Sequence, residues 1–248
     1  MKKYQAYIFD LYGTLIDIHT DESKDLFWKK NSISFSGYGA KYEWEELRDA
    51  YFHKVKKLEE KMYQEGHHIE IELRDVFVSL LQDKGVDGTD EMIEDIAYHF
   101  RKNSTSHIRL YVGVKELLEC LHQSGKKVFL LSNAQEIFTI REMKDLGICD
   151  LFDEIFISSM YGYKKPDHCF FEVLLKKHDL DPKNCLMIGN DLYDDIAGAD
   201  QVNMDTYYIH SKLSSDRKTS VKPTYTQKGM DLKKLKQKIV TSFKEKAR

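Results

Sequence analysis

Four short segments of this chain carry side chains that could do chemistry together. Phe9-Asp10-Leu11-Tyr12-Gly13-Thr14-Leu15 delivers a carboxylate from an apolar run into a turn that holds a glycine and a threonine. Leu130-Leu131-Ser132-Asn133 ends a second apolar run in a hydroxyl and an amide, and Lys164-Lys165-Pro166-Asp167 supplies ammonium groups. Ile188-Gly189-Asn190-Asp191, with Asp195 following, ends a third apolar run in acids. A carboxylate such as Asp10 can attack phosphorus or an activated carbon and form an ester that water then opens. Gly13 suits a tight turn, and Thr14 is expected to fix that turn by hydrogen bonding. Ser132, Asn133 and nearby backbone N–H groups can hold a transferring oxyanion where a helix begins. A serine there also suits the cap of that helix. A lysine ammonium offsets the charge of Asp10 and of an anionic substrate. A carboxylate at a strand end beside Asp10 makes an oxygen-rich place for magnesium.

These groups need a scaffold that brings them to one edge. From residue 111 onward the texture is strand, helix, strand. Candidate strands are 127–131, 154–158, 185–188 and 206–209, with helices near 114–123, 136–146, 169–178 and 194–200. Alternation at these lengths predicts right-handed crossovers and a parallel sheet. The strand at 6–11 must join that sheet for Asp10 to meet the others, and open α/β sheets place their chemistry at the carboxyl ends of the strands. Between 16 and 109 no β-rich apolar run is visible. Trp44, Leu47, Tyr51 and Val55 form one helical stripe, and Val76, Val78, Leu80 and Leu81 lie in another. Thr89 or Asp90 is placed to cap a further helix. About four helices are expected there. Pro223 and Gly229 precede a lysine-rich helix read as amphipathic and packed on the core.

The ordered set of an aspartate, a Ser/Thr, a lysine and an acidic pair resembles the haloacid dehalogenase-like (HAD) superfamily over nearly the whole chain. The resemblance implies a Rossmann-like α/β core of 1–15 and 110–248 with a helical cap of 16–109 inserted after the first strand. It implies Asp10 as nucleophile and Ser132, Asn133, Thr14 and Lys165 around the substrate. Lys165 is preferred over Lys164 because the family's lysine directly precedes the proline. It also implies magnesium held by Asp10, the backbone carbonyl of Tyr12 and an acid of the last segment, with Asp195 in support. Asn190 or Asp191 could take that acid's place. Asp191 is preferred because it is charged.

One residue departs from the pattern. Most phosphatases of the superfamily carry a second aspartate two residues after the nucleophile, where this chain has Tyr12. A tyrosine of ordinary pKa near ~10 is a poor base at neutral pH. That segment looks more like the 2-haloacid dehalogenases, whose halide leaves without protonation and which work without metal. Arg48 and Arg74 are candidates for the cap arginine of that subgroup. Asp191 and Asp195 argue the other way, because three clustered acids with one lysine repel one another unless a cation is present. The leading expectation is magnesium-dependent hydrolysis of a small phosphorylated metabolite. The alternatives are hydrolytic dehalogenation of a 2-haloacid and a binding or regulatory protein with weak turnover. Trp28, Tyr42 and Trp44 could line a pocket but are read as cap core.

Composition narrows the partners. Over 248 residues the formal net charge is −3, which gives no general pull toward nucleic acid or membrane. With 3 prolines and 13 glycines, long flexible linkers are not expected. Cys120, Cys149, Cys169 and Cys185 are scattered without a CxxC pair and read as free thiols in a reducing cytoplasm. Met1-Lys2-Lys3-Tyr4 leads straight into a strand with no signal segment before Asp10, and no run is long enough to span a bilayer. A small anionic molecule is the expected partner.

Overall fold

The computed structural model describes residues 1–244. Strand β1 (Ala6–Phe9) is followed by β2 (Ile16–Thr20), by helices α1 (Asp25–Gly37), α2 (Trp44–Met62), α3 (Leu73–Gln82) and α4 (Asp90–Ser104), and by β3 (Thr105–Leu110). The remainder alternates as α5 (Val114–Gln123), β4 (Lys127–Ser132), α6 (Glu136–Asp145), β5 (Glu154–Ile157) and the single turn α7 (Ser158–Tyr161). Then come α8 (His168–Lys177), β6 (Cys185–Gly189), α9 (Gly198–Gln201), β7 (Asp205–Ile209), β8 (Tyr225–Gln227) and α10 (Leu232–Lys244). No helix of the described residues is long and apolar enough to cross a membrane.

One parallel sheet runs in the order β5-β4-β1-β6-β7-β8, with β1 paired to β4 and β6. Successive residues of β1 alternate between its faces. Tyr7 and Phe9 pack with α5 and α10, whereas Ala6 and Ile8 pack with α8 and α9. Burial on both faces is why the central strands read as unbroken apolar runs. The sheet and its flanking helices follow the expected architecture, with β8 as an added edge strand. The carboxyl-terminal helix lies on the core through Leu232, Leu235 and Ile239.

The stretch from 16 to 109 is helical only in its interior. Its ends, β2 and β3, pair as an antiparallel ribbon that Asp21 N and Ser104 O close with a 2.8 Å bond. Ile16 and Ile18 pack with the sheet's own core. Each ribbon strand is short and studded with polar residues, so neither signals a strand without its distant partner. Beyond the ribbon, α1–α4 enclose a separate aromatic core that includes Phe27, Trp28, Phe35, Tyr51, Phe77 and Phe100. Trp28 and Tyr42 are buried in it and Trp44 packs against its edge. Thr89 caps α4 by accepting from Met92 N at 3.3 Å. Phe138 of α6 joins this core from the sheet side.

Candidate active site

Asp10, Ser132 and Asn190 stand at the carboxyl ends of three neighbouring strands. Phe9 is level with Leu130 of β4 and with Ile188 of β6, and Asp10 N donates to Ile188 O at 2.9 Å. The next residues along each strand therefore converge beyond the sheet edge. Lys165 reaches the same place from the loop before α8. Its Nζ lies 2.9 Å from Asp10 Oδ1 and 2.6 Å from Asp195 Oδ1, and all three side chains are largely buried. Burial works to strip the lysine of its proton, but the two carboxylates outweigh it and hold Lys165 above the ordinary lysine range. Burial pushes Asp195 up, Lys165 pulls it down and the Asp10 charge adds to the rise. Lys165 holds one Asp195 oxygen and Asp191 N donates to the other at 2.9 Å. Gly189 permits that tuck, since a Cβ there would collide with the Asp195 carboxyl.

Thr14 donates to Asp10 Oδ2 at 2.9 Å, the loop-fixing role expected of it. Asn190 is the residue of the last segment that faces Asp10. Acceptors on Asp10 and Tyr12 require its NH₂ end to point inward. In that orientation it donates to Asp10 Oδ2 and the Tyr12 carbonyl, each at 3.2 Å, and to Thr14 Oγ1 at 3.1 Å. Its oxygen accepts from Ser211 Oγ at 3.2 Å and Ser214 N at 3.3 Å. Gly13, at φ 86°, brings the turn so close that a Cβ would collide with Asn190. The preference for Asp191 is therefore corrected. One Asp191 oxygen accepts from Tyr193 N and Asp194 N at 2.8 and 2.9 Å, and the other pairs with Arg217 at 3.2 Å. Asp191 caps the π-helical turn of Leu192–Ala197, as an acid at a helix start does.

Two further expectations change. Asn133 clamps the lysine loop through both ends of its amide: Oδ1 accepts from Lys165 N at 2.7 Å and Nδ2 donates to Lys165 O at 2.9 Å. Both ends of its side chain are thereby engaged by the Lys165 backbone. The Tyr12 phenol donates to Glu142 and lies 3.1 Å from Thr139 Oγ1. Arg101 of α4 pairs with Glu142 at 2.6 Å and lies over the Tyr12 ring at 5.5 Å. Burial and the Glu142 charge push the phenol above its ordinary pKa. Only the Tyr12 carbonyl faces the Asp10 cluster. Nothing in the spacing of Thr139, Glu142 or Arg101 marks them, because they meet Tyr12 only through α4 and α6. Arg48 and Arg74 pair with Asp49 and with Asp90 and Glu94.

Ser132 Oγ is buried with no hydrogen-bond partner among the described residues. A buried hydroxyl left so costs about 1–3 kcal/mol, a cost recovered when a ligand oxygen accepts from it. Asp10 Oδ2, the Tyr12 carbonyl and the Asn190 amide group converge on one place, and with the amide turned over they offer three oxygens, the donor type magnesium takes. The formal charges of Asp10, Asp195 and Lys165 sum to −1, which a cation would offset.

A family model described as haloacid dehalogenase-like hydrolase matches residues 4–203. The glyceraldehyde 3-phosphate phosphatase of Pyrococcus abyssi is 32% identical over 114 residues, 46% of this chain and 47% of that protein. The chain thus spans about half the length of this relative. YfnB of Bacillus subtilis, described as a HAD-hydrolase bound to magnesium, superposes at a TM-score of 0.56 with 20% identity, covering 96% of this chain and 100% of that one. A dehalogenase with an intermediate complex superposes at 0.58 with 15% identity, covering 95% and 96%. At these identities the two structures speak for the fold alone.

Proposed function

The chain belongs to the haloacid dehalogenase-like hydrolases, and from that membership we propose that it hydrolyses small phosphate monoesters through an ester on Asp10. The observation that carries the reading is the buried Lys165 bridging Asp10 and Asp195, with the Ser132 hydroxyl, unpartnered among the described residues, at the neighbouring strand end. Lys165 holds Asp10 by a hydrogen bond of 2.9 Å and offsets the charge of an arriving phosphate. Ser132 Oγ donates to a phosphoryl oxygen. An Asp10 oxygen forms a bond to phosphorus, the bond to the leaving oxygen breaks, and that oxygen departs with the electron pair. Water then attacks phosphorus, inorganic phosphate leaves and Asp10 is regenerated. Asp10, the Tyr12 carbonyl and Asn190 would hold magnesium, which would supply charge neutralisation for the phosphoryl group. Asp195 acts by holding Lys165 in place.

In this reading α1–α4 form the cap. Two contacts beside the site tie it to the sheet: Arg101 to Glu142, and His68 O to Lys164 N at 2.9 Å. The named substrate of the Pyrococcus relative, a three-carbon phosphate, is of the proposed size class.

A second reading, hydrolytic dehalogenation, is favoured by one observation. Neither residue two places after Asp10 nor the side chain facing it is an acid, since those are Tyr12 and Asn190. Assay of an aryl phosphate and of 2-chloropropionate, each with magnesium and with chelator, separates the readings. We expect phosphate release that needs magnesium and is lost in Asp10→Asn, because an amide cannot form the ester. Chloride release that survives chelation would replace this reading with the second. No turnover of either would point to a binding protein.

A further inference from the structure

We propose that His67, Asp167 and Cys169 form a second metal site, selective for zinc-class transition ions and separate from the oxygen donors around Asp10. The three come from two segments that meet where α1–α4 touch the sheet. The loop 63–72 between α2 and α3 lies along residues 162–168, with Glu70 N donating to Gly162 O at 3.0 Å and Lys164 N to His68 O at 2.9 Å. His67 Nδ1 lies 3.0 Å from Asp167 Oδ2 and 3.8 Å from Cys169 Sγ. All three donor atoms lie within 4.8 Å of one another.

Helix capping explains only part of this arrangement. Asp167 caps α8 by accepting from Cys169 N at 2.9 Å, and its other oxygen accepts from His68 N at 2.8 Å. Those two bonds account for the carboxylate. They do not account for an imidazole nitrogen and a sulfur converging beside it. Tetrahedral zinc, with bonds of about 2.0 Å to nitrogen or oxygen and about 2.3 Å to sulfur, sets nitrogen and oxygen ~3.3 Å apart and nitrogen and sulfur ~3.5 Å apart. The observed separations of 3.0 and 3.8 Å lie within a few tenths of an ångström of those edges. The fourth position would be left to water.

Ligand chemistry sets the selectivity. Thiolate and imidazole favour zinc, cobalt and copper, whereas magnesium takes oxygen. On binding, the Cys169 thiol releases its proton to solvent and His67 carries its single proton on Nε2, so that sulfur and Nδ1 each give a lone pair to the ion. The site would staple the loop 63–72 to the loop that carries Lys165, two residues before Asp167.

Cobalt(II) titration of the metal-free full chain, in excess magnesium, tests this site without reference to turnover. We expect one equivalent to bind with a thiolate-to-cobalt charge-transfer band that zinc displaces. Cys169→Ser should abolish the band, and His67→Ala should weaken binding by about 100-fold or more, at least the loss typical of disturbing a metal's surroundings. Cys120→Ser and Cys149→Ser should leave the band unchanged. Zinc should also raise the melting temperature of the parent protein and not of His67→Ala. Absence of the band, its survival in Cys169→Ser, or cobalt binding without it would overturn the proposal. Should Cys169→Ser fail to fold by circular dichroism, His67→Ala decides alone: undiminished binding there refutes the site.

Discussion

Replacing Asn190 by aspartate tests the geometry around Asp10 directly. The Asn190 amide nitrogen lies 3.2 Å from Asp10 Oδ2, and Asn190 is buried. Asn190→Asp puts a second carboxylate oxygen at about that distance. Two unit charges so placed, at an effective dielectric of about 20, repel by about 5 kcal/mol. Lys165 is already shared between Asp10 and Asp195, so no counter-charge is spare. A chain of this size loses about 2–4 °C of melting temperature per kcal/mol, which sets a ceiling of about 10–20 °C for the variant in chelator. Side-chain relaxation and proton uptake lower it, and we expect a loss of at least about 5 °C. The loss should shrink as pH falls, because protonating one carboxyl removes the repulsion. Magnesium should reverse it and bind more tightly than to the parent, since a carboxylate replaces an amide at the cation's place. Calorimetric melting with chelator and with graded magnesium reads both effects. A variant as stable as the parent in chelator, with unchanged magnesium affinity, would refute the placement of Asn190.

Other outcomes follow from the same contacts. Lys165→Ala leaves the buried Asp10 and Asp195 without their counter-charge and should cost about 3–5 kcal/mol in urea unfolding, with kcat and kcat/KM falling together. Tyr12→Phe removes a hydroxyl bonded to Glu142 and should cost about 1 kcal/mol while leaving kcat within a few-fold. In both forms aryl phosphates should outpace alkyl phosphates by about 10²-fold or more, because no group protonates the leaving oxygen. Equal rates on the two ester types would show that another group does. Asp153 accepts from Val128 N and Lys127, each at 2.8 Å. Burial works against its charge, but those bonds hold its carboxyl below the ordinary range. Asp153→Ala should therefore cost about 1–2 kcal/mol at neutral pH. Because the folded pKa is depressed, the difference should fade as pH drops through it, as melting at graded pH would show.

Local signals sufficed for much of this protein. Asp10, Ser132 and Gly189 each end an apolar run, and a run buried on both faces of a parallel sheet announces itself without its neighbours. Parallel pairing then brings the ends of β4, β1 and β6 together, so the meeting of Asp10 with Ser132 and the last segment was legible. Lys165 was legible through its proline neighbour and the family's pattern. Other features depend on contacts that no local pattern encodes. Which of Asn190 and Asp191 faces Asp10 is set by how the chain turns off β6 into a helical turn whose start needs an acid, so the charged residue caps and the neutral one faces inward. The fate of the Tyr12 phenol is decided by Glu142 and Arg101, which arrive on α6 and α4. The β2–β3 ribbon joins short polar strands on either side of the helical segment. His67 meets Asp167 across 100 residues of sequence, through two loops that touch only once the helical segment is folded onto the sheet. Periodicity reports which face of an element is buried, whereas the partner on that face is chosen by packing between elements distant in sequence.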